Sequence, residues 1–360
     1  MTVLVTGGAG YIGSHMVLEL VDAGEPVVVL DNLSTGFAWA VAEDVPLIVG
    51  ETGDQALVSR VIRDHGVKAI IHFAASIVVP DSVRDPLGYY RNNTSNSRAL
   101  IECAVQGGVR DFIFSSTAAV YGNPVSAVVN EAAPTQPISP YGSSKLMTET
   151  MLRDASVAYG LRHGILRYFN VAGADPHLRS GQSGKNMTHL IKIAAEAAIG
   201  LRDKVQVFGN DYPTPDGTCV RDYIHVSDLV RAHSDALRRL RSGAPSLTVN
   251  CGYGHGFSVV EVIETVKRVS GADFTVETAP RRAGDPAMIV ADCSRARAVL
   301  GWQPRFDDLP TIVSHAISWE RELQSRRAAR GDEQEFARPR SRPAVVPSPS
   351  AVPAAGPNEH

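Results

Sequence analysis

Tyr141 and Lys145 stand four residues apart at the start of a segment whose apolar positions, Leu146, Met151, Leu152, Ala155 and Ala158, follow helical spacing. One helical turn therefore puts a phenol and an ammonium on the same face. A free phenol ionises near pH 10, so half ionisation at neutral pH needs a shift of about 3 units, or roughly 4 kcal/mol. A cation held about 4 Å away in a partly screened site supplies that much. The pair reads as a general base tuned by its neighbour. The same spacing also occurs on solvated helix faces, so the chemistry depends on what surrounds it.

The first surrounding signal lies at the amino terminus. The β-branched run Thr2 to Thr6 stops at Gly7-Gly8-Ala9-Gly10-Tyr11-Ile12-Gly13, and helical spacing follows at Ile12, Met16, Val17, Leu20 and Val21 until Gly24. An apolar strand then ends at Asp31. The glycines fit G-x-G-x-x-G at Gly8, Gly10 and Gly13, and the shifted register at Gly7, Gly10 and Gly13. Without Cβ atoms the backbone can approach a pyrophosphate resting on the helix N-terminus. An acid about 20 residues on can bind both ribose hydroxyls and repel a 2'-phosphate, which favours NAD over NADP.

The alternation continues with a strand at Pro46 to Val49, a helix at Asp54 to His65 and a strand at Lys68 to Phe73. Asp81 to Pro86 reads as a loop and Tyr89 to Val105 as one long helix. His72, inside a buried strand, reads as a hydrogen-bonded core histidine. The next strand, Arg110 to Thr117, ends in three hydroxyl residues at the edge where open α/β sheets bind ligands. Thr117 can share a substrate hydroxyl with Tyr141. The expected fold is therefore α/β, a Rossmann-type doubly wound parallel sheet with a smaller C-terminal substrate-binding domain.

Residues 1–175 are expected to form the nucleotide-binding domain, with later elements at about 217–260 returning to it, and 176–324 the substrate domain. Thr218 to Val226 reads as a strand leading into a helix with Asp228 in its first turn, where an acid suits the dipole. Arg221 and Asp222 read as a local ion pair or as half of a phosphate site. The Ala/Pro/Arg/Ser-rich stretch 325–360 cannot bury enough apolar area to offset its ordering entropy, and is expected to be a disordered tail.

With 360 residues, 44% of them hydrophobic, the chain can bury a large core, and a net charge of -3 offers no basic field for nucleic acid. Cys103, Cys219, Cys251 and Cys293 are too dispersed for a zinc site or a disulfide framework, so no metal is expected. No apolar run reaches the roughly 18 residues of a membrane span, and no basic leader precedes Thr2. A cytoplasmic protein with no membrane partner is expected.

Assembled, these residues resemble the extended short-chain dehydrogenase/reductase family, in its branch of UDP-sugar 4-epimerases, from Thr2 to about Trp319. The most specific pieces are Val5 to His15, Phe114 to Gly122, Ser139 to Leu146, Leu166 to Asn170, Phe208 to Thr214, Asp216 to Val226 and Ala279 to Asp285. The resemblance implies NAD as cofactor, contacted by Gly7, Gly10, Tyr11, Ile12, Gly13, Asp31, Asn32, Leu33, Phe73, Ala74, Asn92, Tyr141, Lys145 and Phe169. It also implies that Thr117, Asn170, His189, Leu190, Gln206, Val207, Phe208, Arg221, Arg282, Asp285 and Ile289 line a UDP-sugar site. Its two arginines would face the diphosphate, which a guanidinium can bind in bidentate fashion. Two features depart from the pattern: Glu51-Thr52 stands where Asp-Ile is usual near the adenine, and Ile77 where some members carry a lysine.

The implied activity is a redox-neutral inversion at C4 of a UDP-hexose through a 4-keto sugar, with Tyr141 as base, Lys145 in support and Thr117 assisting. A UDP-pentose or UDP-N-acetylhexosamine substrate remains open, since Ile289 occupies a position where family members vary in size. A 4,6-dehydratase is disfavoured because Ala118-Ala119 follow Thr117 where those enzymes carry Asp-Glu. A non-catalytic NAD-sensing protein on the same fold is disfavoured by the intact Tyr–Lys pair. The family is usually dimeric, so a homodimer is expected.

Overall fold

A computed structural model describes residues 1–184, 187–282 and 286–330. β1 (Thr2–Thr6) passes through the glycine turn into α1 (Tyr11–Asp22), followed by β2 (Val27–Asp31), β3 (Leu47–Val49), α2 (Gln55–Asp64) and β4 (Val67–His72). Then come α3 (Val79–Arg84), α4 (Pro86–Tyr89), a π-helical turn at Tyr90–Ser95 and α5 (Asn96–Gln106). β5 (Asp111–Thr117), β6 (Val128–Val129), α6 (Pro140–Tyr159), β7 (Arg162–Tyr168) and β8 (Asn170–Ala172) follow. Next are α7 (Leu190–Ala198), β9 (Lys204–Phe208), β10 (Val220–Arg221), β11 (Tyr223–His225), α8 (Val226–Arg241) and β12 (Leu247–Cys251). β13 (Phe257–Ser258), α9 (Val259–Ser270), β14 (Thr275–Ala279), β15 (Met288–Ala291), α10 (Ser294–Leu300) and α11 (Leu309–Arg330) complete the described chain. Met1–Glu322 forms one compact unit, and a second begins at Leu323.

Seven strands pair in the order β12-β7-β5-β4-β1-β2-β3, all parallel. This is the Rossmann-type architecture expected from the alternation. The chain moves outward from β1 to β2 and β3, then returns to place β4 on the other side of β1. The order therefore reverses beside β1, and a crevice opens at the carboxyl ends there. Both faces of the sheet are covered. Val3, Val5 and Ile71 share a core with Met16 and Leu20 of α1 and Leu229 and Leu237 of α8. Leu4, Ile70 and Phe112 face the other way, toward Val58 of α2, Leu100 of α5 and Leu152 of α6. The period of two along each strand sorts these side chains between the layers.

The structure departs from the sequence reading in four places. Residues 325–330, expected to belong to the disordered tail, continue α11. Asp81 to Pro86 is not a loop but the end of α3 and the start of α4. Each proline lies in a first helical turn, where its missing N–H costs nothing, and the Asp85 side chain accepts the Gly88 N–H. The long helix from Tyr89 is interrupted by the π-helical turn. The single strand at Thr218 to Val226 is two strands in different sheets. β10 pairs with β13 and β15, whereas β11 pairs with β8. The break falls at Asp222, whose fully buried carboxylate accepts the backbone N–H groups of Tyr253, Gly254 and Ala291. That use of Asp222 replaces the local ion pair with Arg221. His72 is the core residue expected, bonded to Thr6 Oγ1 at 2.6 Å and Ser97 Oγ at 2.8 Å.

Candidate active site

A cleft of about 710 Å³ occupies the crevice. Its floor begins at the glycine turn. Gly7 has φ +70°, and a Cβ there would lie 2.6 Å from the Ala74 backbone nitrogen, so only glycine allows β1 and the segment after β4 to approach this closely. Gly10 caps α1 without any side-chain hydrogen bond to the first turn, and Gly10 to Ser14 line the cleft. The positive end of that helix dipole thus opens on the cavity. At the end of β2, Asp31 accepts Ala9 N–H at 2.9 Å and Leu33 N–H at 2.8 Å. One carboxylate thereby ties the turn to the strand. An uncapped helix terminus behind three glycines, with an acid at the neighbouring strand end, fits the pyrophosphate and ribose of a dinucleotide. Tyr11 closes this end by donating from its phenol to Gly173 O at 2.7 Å.

The other end of the cleft is formed by α6 and β5. Ser139 accepts Gly142 N–H at 3.2 Å and Pro140 opens the helix, which fixes where Tyr141 emerges. Tyr141 and Thr117 both line the cleft. Lys145 lies behind it, 3% exposed, with Nζ donating to Ser115 O at 3.0 Å and standing 5.0 Å from the Phe114 ring centre. Burial pushes the Tyr141 phenol well above its ordinary pKa. The neighbouring Tyr168 adds to this, while the Thr117 hydroxyl opposes it. Burial also brings Lys145 down to about 7. The spacing alone suggested a phenol pulled down by its lysine. Instead, loss of water favours the neutral form of both groups.

Of the other expected residues, Asn32, Phe73, Ala74, Asn92, Phe169, Asn170, His189, Arg221 and Ile289 line the same cleft. Leu190 lines a small cavity beside it, with Asn170 and His189 common to both. Leu33 and Lys145 support the cleft from outside its lining. Gln206, Val207 and Phe208 lie on β9, paired with β14, and Arg282 stacks 3.9 Å over the Phe208 ring. That group does not line the cleft. Asp285 lies outside the described residues, as does the stretch from 331 onward.

Glu51 and Thr52 line the cleft, Glu51 accepting from Asn32 Nδ2 at 3.0 Å. Ile77 lines it too. Sequence reasoning passed over Ser76, Gln182 and Tyr168, which also line it. The first two are isolated polar residues in loops, with no spacing to mark them. Tyr168 carried a signal, since it ends the strand next to β5. Among the described residues there is no cluster of three metal-ligating side chains, and no helix is long and apolar enough to cross a membrane.

A parallel sheet with a glycine turn and an acid at its switch point, and a tyrosine helix on the same edge, defines a dinucleotide-binding α/β protein of the Rossmann type. The chain belongs to the NAD-dependent epimerase/dehydratase family, whose family model matches residues 3–252. It is 57% identical to the UDP-glucose 4-epimerase of Azospirillum brasilense over 322 residues, covering 89% of this chain and 92% of that one. The crystal structure of UDP-glucose 4-epimerase from Brucella ovis in complex with NAD superposes with a TM-score of 0.86 at 44% identity, covering 88% and 97% of the two chains. The UDP-Glc/GlcNAc 4-epimerase of Campylobacter jejuni gives 0.79 at 50% identity, covering 89% and 99%.

Proposed function

We propose that this protein catalyses the reversible, NAD-dependent 4-epimerisation of a UDP-hexose, interconverting UDP-galactose and UDP-glucose through a 4-keto sugar. The observation that carries the reading is that Thr117 and Tyr141 line the same cleft as Asp31 and the glycine turn. Gly7, Gly10, Gly13, Tyr11, Ile12, Asp31, Asn32, Phe73, Ala74, Asn92 and Phe169 would hold NAD. NAD bound there would supply a reversible hydride acceptor with a positively charged ring. Tyr141 takes the proton of the 4-hydroxyl, with Thr117 holding that hydroxyl in line. Lys145, fixed by Ser115 O behind the tyrosine, favours the phenolate when it is protonated. Arg221 and Asn170 line the region where the diphosphate would anchor the sugar while it turns over. Arg282 and the Gln206 to Phe208 strand would contribute to nucleotide binding. In this division residues 1–175, with 217–260, serve the cofactor, and 176–324 mainly the substrate. A cytoplasmic homodimer is part of the same proposal.

A UDP-N-acetylhexosamine or UDP-pentose substrate is a second reading, because Ile289 lines the cleft with a side chain of intermediate bulk. Incubation of the purified protein with UDP-galactose and no reductant tests the proposal, UDP-glucose being the expected product. Parallel reactions with UDP-GlcNAc and UDP-xylose decide the substrate class. No product from any of the three would return the protein to the non-catalytic NAD-sensing class.

A further inference from the structure

Two successive residues of β5 each engage a different turn of α6. Ser115 O accepts Lys145 Nζ at 3.0 Å and Ser116 Oγ donates to Glu149 Oε1 at 2.6 Å, while Thr117, the next residue, lines the cleft with Tyr141. Tyr141, Lys145 and Glu149 recur every four residues and so form one stripe of the helix against the strand. The first two belong to the proposed chemistry. Glu149 has no part in it, yet its side chain is completely buried.

A carboxylate out of water is tolerated only when donors replace its hydration. Here they come from three elements. Arg167 of β7 donates from Nε to Oε1 at 2.9 Å and from Nη2 to Oε2 at 2.6 Å, in a bidentate grip. Arg153, one turn further along α6, donates to Oε2 at 2.6 Å. Ser116 of β5 supplies the fourth bond, and Ser116 and Arg167 stand directly opposite each other across the β5–β7 pair. The network continues from Arg167 Nη1 to Tyr121 OH at 3.0 Å and from Tyr121 OH to Asn250 Oδ1 of β12 at 2.6 Å.

The face of β5 that meets α6 carries Phe112, Phe114 and Ser116, two residues apart. Contacts from the two phenylalanines are non-directional and tolerate sliding of the helix along the strand. The Ser116–Glu149 bond does not. It lies one residue from the threonine and two turns from the tyrosine that must meet over the sugar.

We propose that Glu149 is a positioning residue for proton transfer: by holding Ser116 and Arg167 together it sets the register of α6 on β5, and with it the placement of Tyr141 against Thr117. This rests on Tyr141 acting as the base. Ser116→Ala removes the link to the strand while leaving all three arginine bonds of Glu149 in place. A misplacement of about 1 Å costs up to roughly 100-fold in rate, so kcat is expected to fall at least about 10-fold, with KM and the amount of bound NAD unchanged. Moving Tyr141 away from Thr117 and Lys145 weakens the hydrogen bonding and the charge that favour its phenolate, so the acid limb of the kcat–pH profile moves to higher pH. Loss of stability alone does not move that limb. Glu149→Gln is expected to shift it in the same direction.

The measurement is the kcat–pH profile of the holoenzyme for both variants, beside Tyr141→Phe. An unchanged kcat, or a lower kcat with an unmoved acid limb, overturns the proposal. If Glu149→Gln does not fold, Ser116→Ala decides alone. Activity retained in Tyr141→Phe removes the base reading itself. An inactive Tyr141→Phe beside a fully active Ser116→Ala removes only the positioning role.

Discussion

Tyr11 and Gly173, 162 residues apart in sequence, are joined by a 2.7 Å hydrogen bond from the phenol to the carbonyl. Gly173 adopts φ +85°, and a Cβ there would run into the His225 ring at 2.6 Å, so the carbonyl is held where the phenol meets it. The bond links the first turn of α1 to the segment just after β8. Tyr11→Phe leaves that carbonyl without its donor, at a cost of about 1 kcal/mol. NAD is expected to dissociate about 5-fold more readily. Titration of cofactor into stripped protein, or retention through gel filtration, checks this, and wild-type retention would show that the bond does not shape the cofactor end of the cleft.

Tyr141→Phe removes one hydroxyl from a buried site whose ring packing is otherwise conserved. The variant is expected to fold, to retain NAD and to lose about 1000-fold in epimerisation rate, within the range for a general base. A progress curve with UDP-galactose and a cofactor assay on the same sample separate the two properties.

Lys145 has a definite pH signature. Its folded-state pKa is about 7, against 10.5 when free, so between those values the unfolded chain holds a proton that the folded one does not. Stability contributed through this group therefore rises with pH across that window, and the penalty is largest below pH 7. Lys145→Met removes the penalty. Its advantage over the parent in denaturant unfolding is expected to be about 2 kcal/mol smaller at pH 9 than at pH 7. A difference that does not change with pH would mean that Lys145 stays charged in the fold.

Asp228 serves the fold. Its buried carboxylate accepts Tyr253 OH at 2.7 Å, Arg305 N–H at 2.9 Å and Phe306 N–H at 2.8 Å. Asp228→Ala strands these donors and is expected to cost about 3 kcal/mol. The urea midpoint should fall with the slope unchanged, while KM for the UDP-sugar stays at the parent value wherever the protein is folded. A raised KM would instead place Asp228 in the substrate site.

The same residue shows how far the sequence could be read. Asp228 in a first helical turn suggested a favourable charge for the dipole, which is a local property. Its clamp on the chain at Arg305 and Phe306, 77 and 78 residues away, has no local trace. Asp222 is similar: beside Arg221 in sequence it suggested an ion pair, but its oxygens serve three distant backbone amides. Leu33, Lys145 and the β9 residues share this limit, because which side chain finally lines a cavity depends on how separate elements pack. Gln206 and Phe208 lie on a strand as expected, but that strand pairs with β14 and both residues fall outside the cleft lining.

What the sequence determined by itself was everything carried by short-range geometry. The period of two in the strands, the glycine turn that no Cβ could enter, the acid at the end of β2 and the four-residue step from Tyr141 to Lys145 are all set within a few residues of chain. The tertiary structure decided which groups lose water and which partners replace it. Lys145 meets Ser115 O, Glu149 meets Ser116 and Arg167, and Tyr141 is buried deeply enough for its pKa to rise. Desolvation depends on every element packed around a group, and no stretch of chain contains that sum.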